Sequence, residues 1–213
     1  MDNISIIIRN RNEAEYIGFA LQSVCDFLPE AEVIVVDNNS TDDSLNVVSL
    51  FSDRLNIKVV SIKDYTPGRA INLGVKEASK EYILVLSAHC QLTSLDFNLV
   101  IDKLFSYRAI FGQQNPIYRG KKITKRYVWS HFSDEITINM HSDIENRYFF
   151  HNAFSFFKRD TLLVTPMPEI YSGKEDRYWV KDIVESGENY IYLPELKVNH
   201  FYTGNGATWK GLG

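Results

Sequence analysis

Four short β-branched or apolar runs separated by three segments of helical period occupy the first ninety residues, and this alternation constrains the fold more than any other feature. Ile4-Ser5-Ile6-Ile7-Ile8, Val33 to Val36, Ile57 to Val60 and Tyr82 to Leu86 read as strands of a parallel sheet. Between them, Ile17, Leu21, Val24 and Leu28 recur at helical spacing until Pro29 stops the pattern. Ser40 with Asp43 resembles a capping-box variant, predicting a helix with Leu45, Val48 and Phe51 inward. Pro67-Gly68 opens a third helix carrying Ile71, Gly74, Val75 and Ala78 on one side. Right-handed crossovers make such a βαβαβαβ order a parallel, doubly wound sheet.

Ligands of these sheets bind at the carboxyl ends of the strands. The residues just past those ends, Arg9 to Glu13, Asp37 to Ser40, Asp64 to Arg69 and Ser87 to Cys90, are polar in every case. Each loop taken singly is also an ordinary turn or cap. The net charge of -4 over 213 residues excludes a global field for nucleic acid. Two cysteines are too few for a stapled fold, no metal-type Cys spacing exists, and no basic leader or membrane-length apolar run is seen. A cytoplasmic protein, free or held at the inner membrane face by a partner, is the expectation.

The second half reads differently. A helix around Leu95 to Tyr107 and a strand around Ala109 to Gln113 precede a weakly periodic stretch from Pro116 to Arg147. Strands then follow at Ala153 to Phe157 and Tyr190 to Leu193, with a helix from Glu175 to Ser186 between them. One domain is expected, its two halves being residues 1–115 and 116–213, the second containing a small antiparallel portion.

The ordered segments Ser5-Ile-Ile-Ile-Arg-Asn-Arg-Asn-Glu13, Glu32-Val-Ile-Val-Val-Asp-Asn-Asn-Ser-Thr-Asp42, Gly68-Arg-Ala-Ile-Asn-Leu-Gly74, Glu81-Tyr-Ile-Leu-Val-Leu-Ser-Ala-His89 and Lys174-Glu-Asp-Arg-Tyr-Trp179 resemble family 2 glycosyltransferases. Ile-Arg-Asn-Arg-Asn-Glu resembles most the bacterial branch labelled rhamnosyltransferase-like. The resemblance implies an α/β GT-A fold and inverting transfer of a sugar from a nucleotide diphosphate donor to a saccharide or lipid-linked acceptor in surface polysaccharide synthesis. It places Arg9, Asn10, Arg11, Glu13, Asp37, Asn38, Arg69, Asn72 and Ser87 around the donor nucleotide, with Arg69 and Asn72 under the base or diphosphate.

One motif departs from the family. Relatives carry Asp-x-Asp after the fourth strand, whereas Ser87-Ala88-His89 stands here. Strand alternation keeps Ser87 and His89 on one face, but the charge is lost. Two readings stay open. In one, His89 and His200 hold a divalent ion, Mn²⁺ or Mg²⁺, on the diphosphate; imidazole suits Mn²⁺ better than Mg²⁺. In the other, His89 and arginines offset the leaving-group charge directly.

An inverting transfer needs one base for the acceptor proton. Glu175-Asp176 with Trp179 resembles the family's Glu-Asp-x-x-Trp segment, which makes Asp176 the base, Glu175 its support and Trp179 a wall of the acceptor pocket. Acids in a first helical turn also complement the helix dipole without any catalytic role. Asn152 sits where relatives line the acceptor cleft. Arg119, Lys121, Lys122, Lys125 and Arg126 form a basic stretch beside aromatics, suited to a membrane interface, a lipid-diphosphate acceptor or plain solvent. The tail Tyr202-Thr203-Gly204-Asn205-Gly206 has the composition of a mobile closing segment. A nucleotidyltransferase, or an inactive nucleotide-sugar-binding module, is the competing function.

Overall fold

A computed structural model describes residues 3–123, 127–204 and 206. The elements run β1 (Ile4–Asn10), α1 (Ile17–Phe27), β2 (Glu32–Asp37), α2 (Ser44–Ser49), β3 (Asn56–Ser61), α3 (Pro67–Glu77), β4 (Tyr82–Ser87), β5 (Cys90–Ser94), α4 (Phe97–Leu104) and β6 (Ala109–Tyr118). They continue through β7 (Lys121–Lys122), a 3-10 turn (Tyr127–His131), β8 (Thr137–Ile138), β9 (His141–Ser142), β10 (Arg147–Tyr148), β11 (Phe154–Lys158), α5 (Arg159–Val164), α6 (Glu175–Glu185) and β12 (Ile191–Phe201). One sheet carries the order β3-β2-β1-β4-β11-β6-β12-β5. The first four strands are parallel; β11 then inserts antiparallel between β4 and β6. The expected parallel half with a smaller antiparallel part is therefore present.

The strand period explains the layers. Ile4, Ile6 and Ile8 face one side with Val33, Val35, Leu84 and Leu86, where Ile17, Ala20, Leu21 and Val24 of α1 cover them. Ile7 faces the other side with Ile34, Val36, Ile83 and Val85, covered by Ala70, Ile71 and Val75 of α3 and by Trp179, Val180 and Ile183 of α6. Gly74 lets α3 approach β1: a Cβ there would lie 2.5 Å from Ile7 Cγ2. Thr66 caps α3 by accepting from the Arg69 amide at 3.2 Å, with Pro67 at the first helical position.

Three sequence expectations change. α2 starts at Ser44, not near Ser40, because the Ser40 hydroxyl is spent on Asp37 at 2.6 Å and on the Asn12 amide at 3.0 Å. Leu45 consequently faces solvent while Val48 is buried. β5, directly after His89, was hidden by its five-residue length. β12 extends to Phe201, well beyond Leu193, with a register shift across Pro194 that lets the strand continue. Of the basic stretch, Arg119 and Gly120 form a positive-φ turn and Lys121 and Lys122 are exposed, while Lys125 and Arg126 lie outside the described residues. Among the described residues, no helix is long and apolar enough to cross a membrane.

Candidate active site

The carboxyl ends of β1 and β4 open into a cavity of about 320 Å³, closed opposite by the start of α6, the segment entering β11 and the end of β12. Arg9, Asn10, Arg11, Glu13, Asn38, Ser87, His89, Asn152, Glu175, Asp176 and His200 all line it. Residues spread over most of the chain thus converge on one space.

Arg9 and α6 are tied together: Arg9 Nη1 lies 3.4 Å from Glu175 Oε1, and both side chains are largely buried. Burial works against the guanidinium charge, but attraction to Tyr65, Glu175 and Asp176 outweighs it and raises the Arg9 pKa. Asp176 follows at the first turn of α6. Its carboxylate accepts from the Arg177 amide at 2.8 Å and the Asn152 amide at 3.4 Å. Burial, then the neighbouring Glu175 charge, push its pKa from 3.8 up to about 7, against those hydrogen bonds and Arg177. A carboxylate poised near neutrality is suited to taking a proton from a hydroxyl.

Three imidazoles gather at the far wall. His89 and His200 have ring centroids 4.9 Å apart, and His151 lies 5.9 Å from His200. Gln114 joins two of them, its Oε1 at 2.8 Å from His200 Nδ1 and its Nε2 at 3.2 Å from His151 Nδ1. Burial, with Arg9, Arg147, Arg177 and His89 nearby, lowers the His151 pKa to about 3. Burial and the other two imidazoles hold His200 well below its usual range. Both rings are therefore neutral at neutral pH. His89 Nδ1 is 3.3 Å from Glu13 Oε1, and the Thr203 hydroxyl donates to the same oxygen at 3.4 Å. The tail so returns to the cavity, with Gly206 on its lining; Asn205 lies outside the described residues.

These donors do not fit the divalent ion that the resemblance implies. Ser87 and His89 replace a pair of hard carboxylates, and at the carboxylate beside His89, Glu13, Oε1 is engaged by His89 and Thr203 while Oε2 is buried without a hydrogen-bond partner. Among the described residues, no group of three or more His, Cys, Asp or Glu side chains could hold a metal ion.

Four expected residues are placed elsewhere. Asp37 is buried and accepts from Asn10 Nδ2 at 2.9 Å and from the Ser40 amide and hydroxyl, so it shapes the loop that carries Asn38. Asn72 donates to the Met167 carbonyl and to Glu169, each at 2.9 Å, and accepts from the Met167 amide at 2.9 Å. It clamps α3 to residues 167–169 and lies off the cavity lining. Arg69, half exposed, pairs with Glu169 at 3.4 Å beside it. Trp179 is buried against Phe157 and Phe150, with Nε1 donating to the Thr165 carbonyl at 2.7 Å. It anchors α6 to the sheet instead of walling the pocket.

Sequence reasoning overlooked Tyr65, Arg147, His151 and Arg177 on the lining and Gln114 behind it. Arg177 adjoins Asp176 and His151 adjoins Asn152, so both neighbours were the available signal. Arg147 comes from the weakly periodic stretch and had none.

The family Glycosyl transferase family 2 matches residues 5–165. The poly(ribitol-phosphate) beta-N-acetylglucosaminyltransferase TarS of Staphylococcus aureus is 34% identical over 93 residues, 41% of this chain and 16% of that protein. The O-antigen chain rhamnosyltransferase WbaN of Salmonella anatum is 23% identical over 179 residues, 80% of this chain and 56% of that protein. Among solved structures, TarS residues 1–349 with UDP-GlcNAc match with TM-score 0.74 at 22% identity, over 95% of this chain and 59% of that one. The mannosyltransferase PcManGT of Pyrobaculum calidifontis, with GDP-Man and Mn²⁺, matches with TM-score 0.70 at 19% identity, over 98% and 59%. The chain thus spans less than two thirds of the length of these relatives. The match over residues 5–165 and the shared sheet make this chain a member of glycosyl transferase family 2 with a GT-A fold.

Proposed function

We propose that this chain transfers a sugar from a nucleoside diphosphate donor to an acceptor hydroxyl with inversion, Asp176 acting as the base, in the synthesis of a bacterial surface polysaccharide on the cytoplasmic side. The observation that carries the reading is Asp176 itself: a carboxylate raised to about 7, lining the cavity into which the donor-side strand ends open. The relatives' names and the nucleotide sugars bound by the structural neighbours support the class of donor and pathway.

In this reading the nucleoside lies at the ends of β1 and β2, along Arg11 and Asn38. Arg9, held by Glu175, faces the diphosphate, and Arg147 and Arg177 add positive charge on the same lining. Guanidinium groups offer paired donors to phosphate oxygens and keep their charge when partly buried. As the anomeric bond breaks, negative charge grows on the departing diphosphate, and these arginines stabilise it in place. Asp176 takes the acceptor proton as its oxygen attacks from the opposite face, which inverts the anomeric centre. The backbone amides of Asn152 and Arg177 fix the carboxylate's orientation.

A screen of nucleotide sugars, read by release of nucleoside diphosphate with and without acceptors and with and without EDTA, tests this. Acceptor-dependent release that persists in EDTA is expected. Loss in EDTA with recovery on Mn²⁺ would restore the ion at His89 and His200, and binding without any release would leave a nucleotide-sugar-binding module.

A further inference from the structure

A second cavity, of about 400 Å³, adjoins the first and shares Arg147 and Arg177 with it. Its floor is one face of α6, because Lys174, Arg177, Tyr178, Lys181 and Glu185 recur every three or four residues. β10 packs against that helix and supplies Arg147 and Tyr148.

The charge of this space is unlike that of the chain. Arg147, Lys174, Arg177 and Lys181 line it with one carboxylate, Glu185, in a protein of net charge -4. Glu145 is shared between Arg147, in a short ion pair, and Arg177 at 3.7 Å. Glu185 lies 3.6 Å from Lys181, both exposed. Lys174 has no ion pair among the described residues, and His141 at the rim is 3.3 Å from Asp143. Beside the cations, Tyr178 stacks on Tyr171 with centroids 3.9 Å apart and an interplanar angle of 11°. Cations next to a flat aromatic face suit a ligand that alternates phosphate with a sugar or polyol.

Position says which ligand that is. The strand ends that serve the donor open into the first cavity only, whereas the second lies along the helix that starts with Asp176. Lys181 is five residues further on, about 7.5 Å along the helix axis and about 140° around it, so it does not share the face of Asp176. The link between the two spaces is Arg147 and Arg177, which line both, so a molecule presenting a hydroxyl to Asp176 reaches the second cavity past these two arginines.

We propose that this second cavity is an acceptor subsite for phosphate, so that the acceptor carries a phosphodiester or diphosphate one unit from the hydroxyl that Asp176 activates. The proposal rests on the glycosyl-transfer reading above. The phosphate is bound and stays intact; its charge displaces Glu145 from the two arginines and takes up Lys174.

The test uses three acceptors at saturating donor: a soluble polyol-phosphate oligomer, a polyprenyl-diphosphate-linked sugar in vesicles, and the first oligomer stripped of phosphate. A KM at least about tenfold lower for a phosphorylated acceptor than for the neutral one is expected. The polymer and vesicle arms identify which source carries the phosphate. Lys174→Gln with Lys181→Gln should raise that KM about tenfold and leave donor affinity and acceptor-independent donor hydrolysis unchanged. In the unaltered protein, added salt should raise the KM for the phosphorylated acceptor and spare the neutral one, a readout that needs no variant. Equal use of the neutral acceptor, or a salt-insensitive KM, overturns the subsite while leaving glycosyl transfer standing. Failure to bind or turn over any nucleotide sugar is a different result, which overturns the underlying reading and the subsite with it.

Discussion

Replacing Asp176 by Asn should remove activity and at the same time make the protein more stable at alkaline pH. The carboxyl's pKa is raised from 3.8 to about 7, so the folded state holds its proton more tightly than the unfolded chain does. Its stability contribution is therefore full below the unfolded value and is lost as pH rises toward 7. One pKa unit corresponds to about 1.4 kcal/mol, which makes about 4 kcal/mol the ceiling of that loss. Asp176 keeps some exposure to the cavity, and about 2 kcal/mol is the expected share. Asn keeps one carbonyl oxygen, which serves the closer Arg177 amide, and gives up the longer bond from the Asn152 amide. Urea unfolding of both proteins at pH 8 and pH 4 measures the difference. Asp176→Asn should gain about 2 kcal/mol at pH 8, or about 4–8 °C in melting temperature, and most of the gain should vanish by about pH 4. An Asn variant that is less stable at pH 8, or whose advantage does not depend on pH, would refute the argument that Asp176 is a strained, poised base.

Further predictions follow from the same geometry. The rate of transfer should climb with pH through an apparent pKa near 7, as Asp176 loses its proton; a profile flat from pH 6 to pH 8 would remove it as the base. Gly74→Ala should cost about 1–3 kcal/mol, because its Cβ would meet Ile7 at 2.5 Å, and Ile7→Ala in the same chain should recover part of that loss. Asn72→Ala should lower stability by about 1–3 kcal/mol by releasing residues 167–169, with nucleotide affinity changed only a few-fold. A selective loss of nucleotide binding at unchanged stability would instead put Asn72 at the ligand.

The fold was legible where burial is two-sided. The runs at Ile4, Val33 and Tyr82 are apolar because helices cover both faces of the sheet there, and that composition states its own topology. β5 and the small strands between Pro116 and Arg147 were not legible, since two to five residues cannot display a period. Helix starts went astray for a local reason: at Ser40 the hydroxyl had a better partner in Asp37 than in a helix amide.

In the site, charge and position were legible but engagement was not. Nothing in the sequence distinguishes Arg9, aimed into the cavity, from Arg69, paired at the surface with Glu169. Asn72 and Trp179 stand in family-like segments for packing reasons that only the tertiary structure displays. His151 and Gln114 act with His200 through contacts between elements far apart in sequence, and no short-range pattern encodes such a set.

The central claim, that Asp176 is the base of a sugar transfer in this cavity, is tested most directly by turnover of the Asp176→Asn variant with the donor and acceptor found by the screen. Transfer lowered by at least about a hundredfold, with nucleotide-sugar affinity held within a few-fold of the unaltered protein, is the predicted result. Transfer at close to the unaltered rate would contradict it.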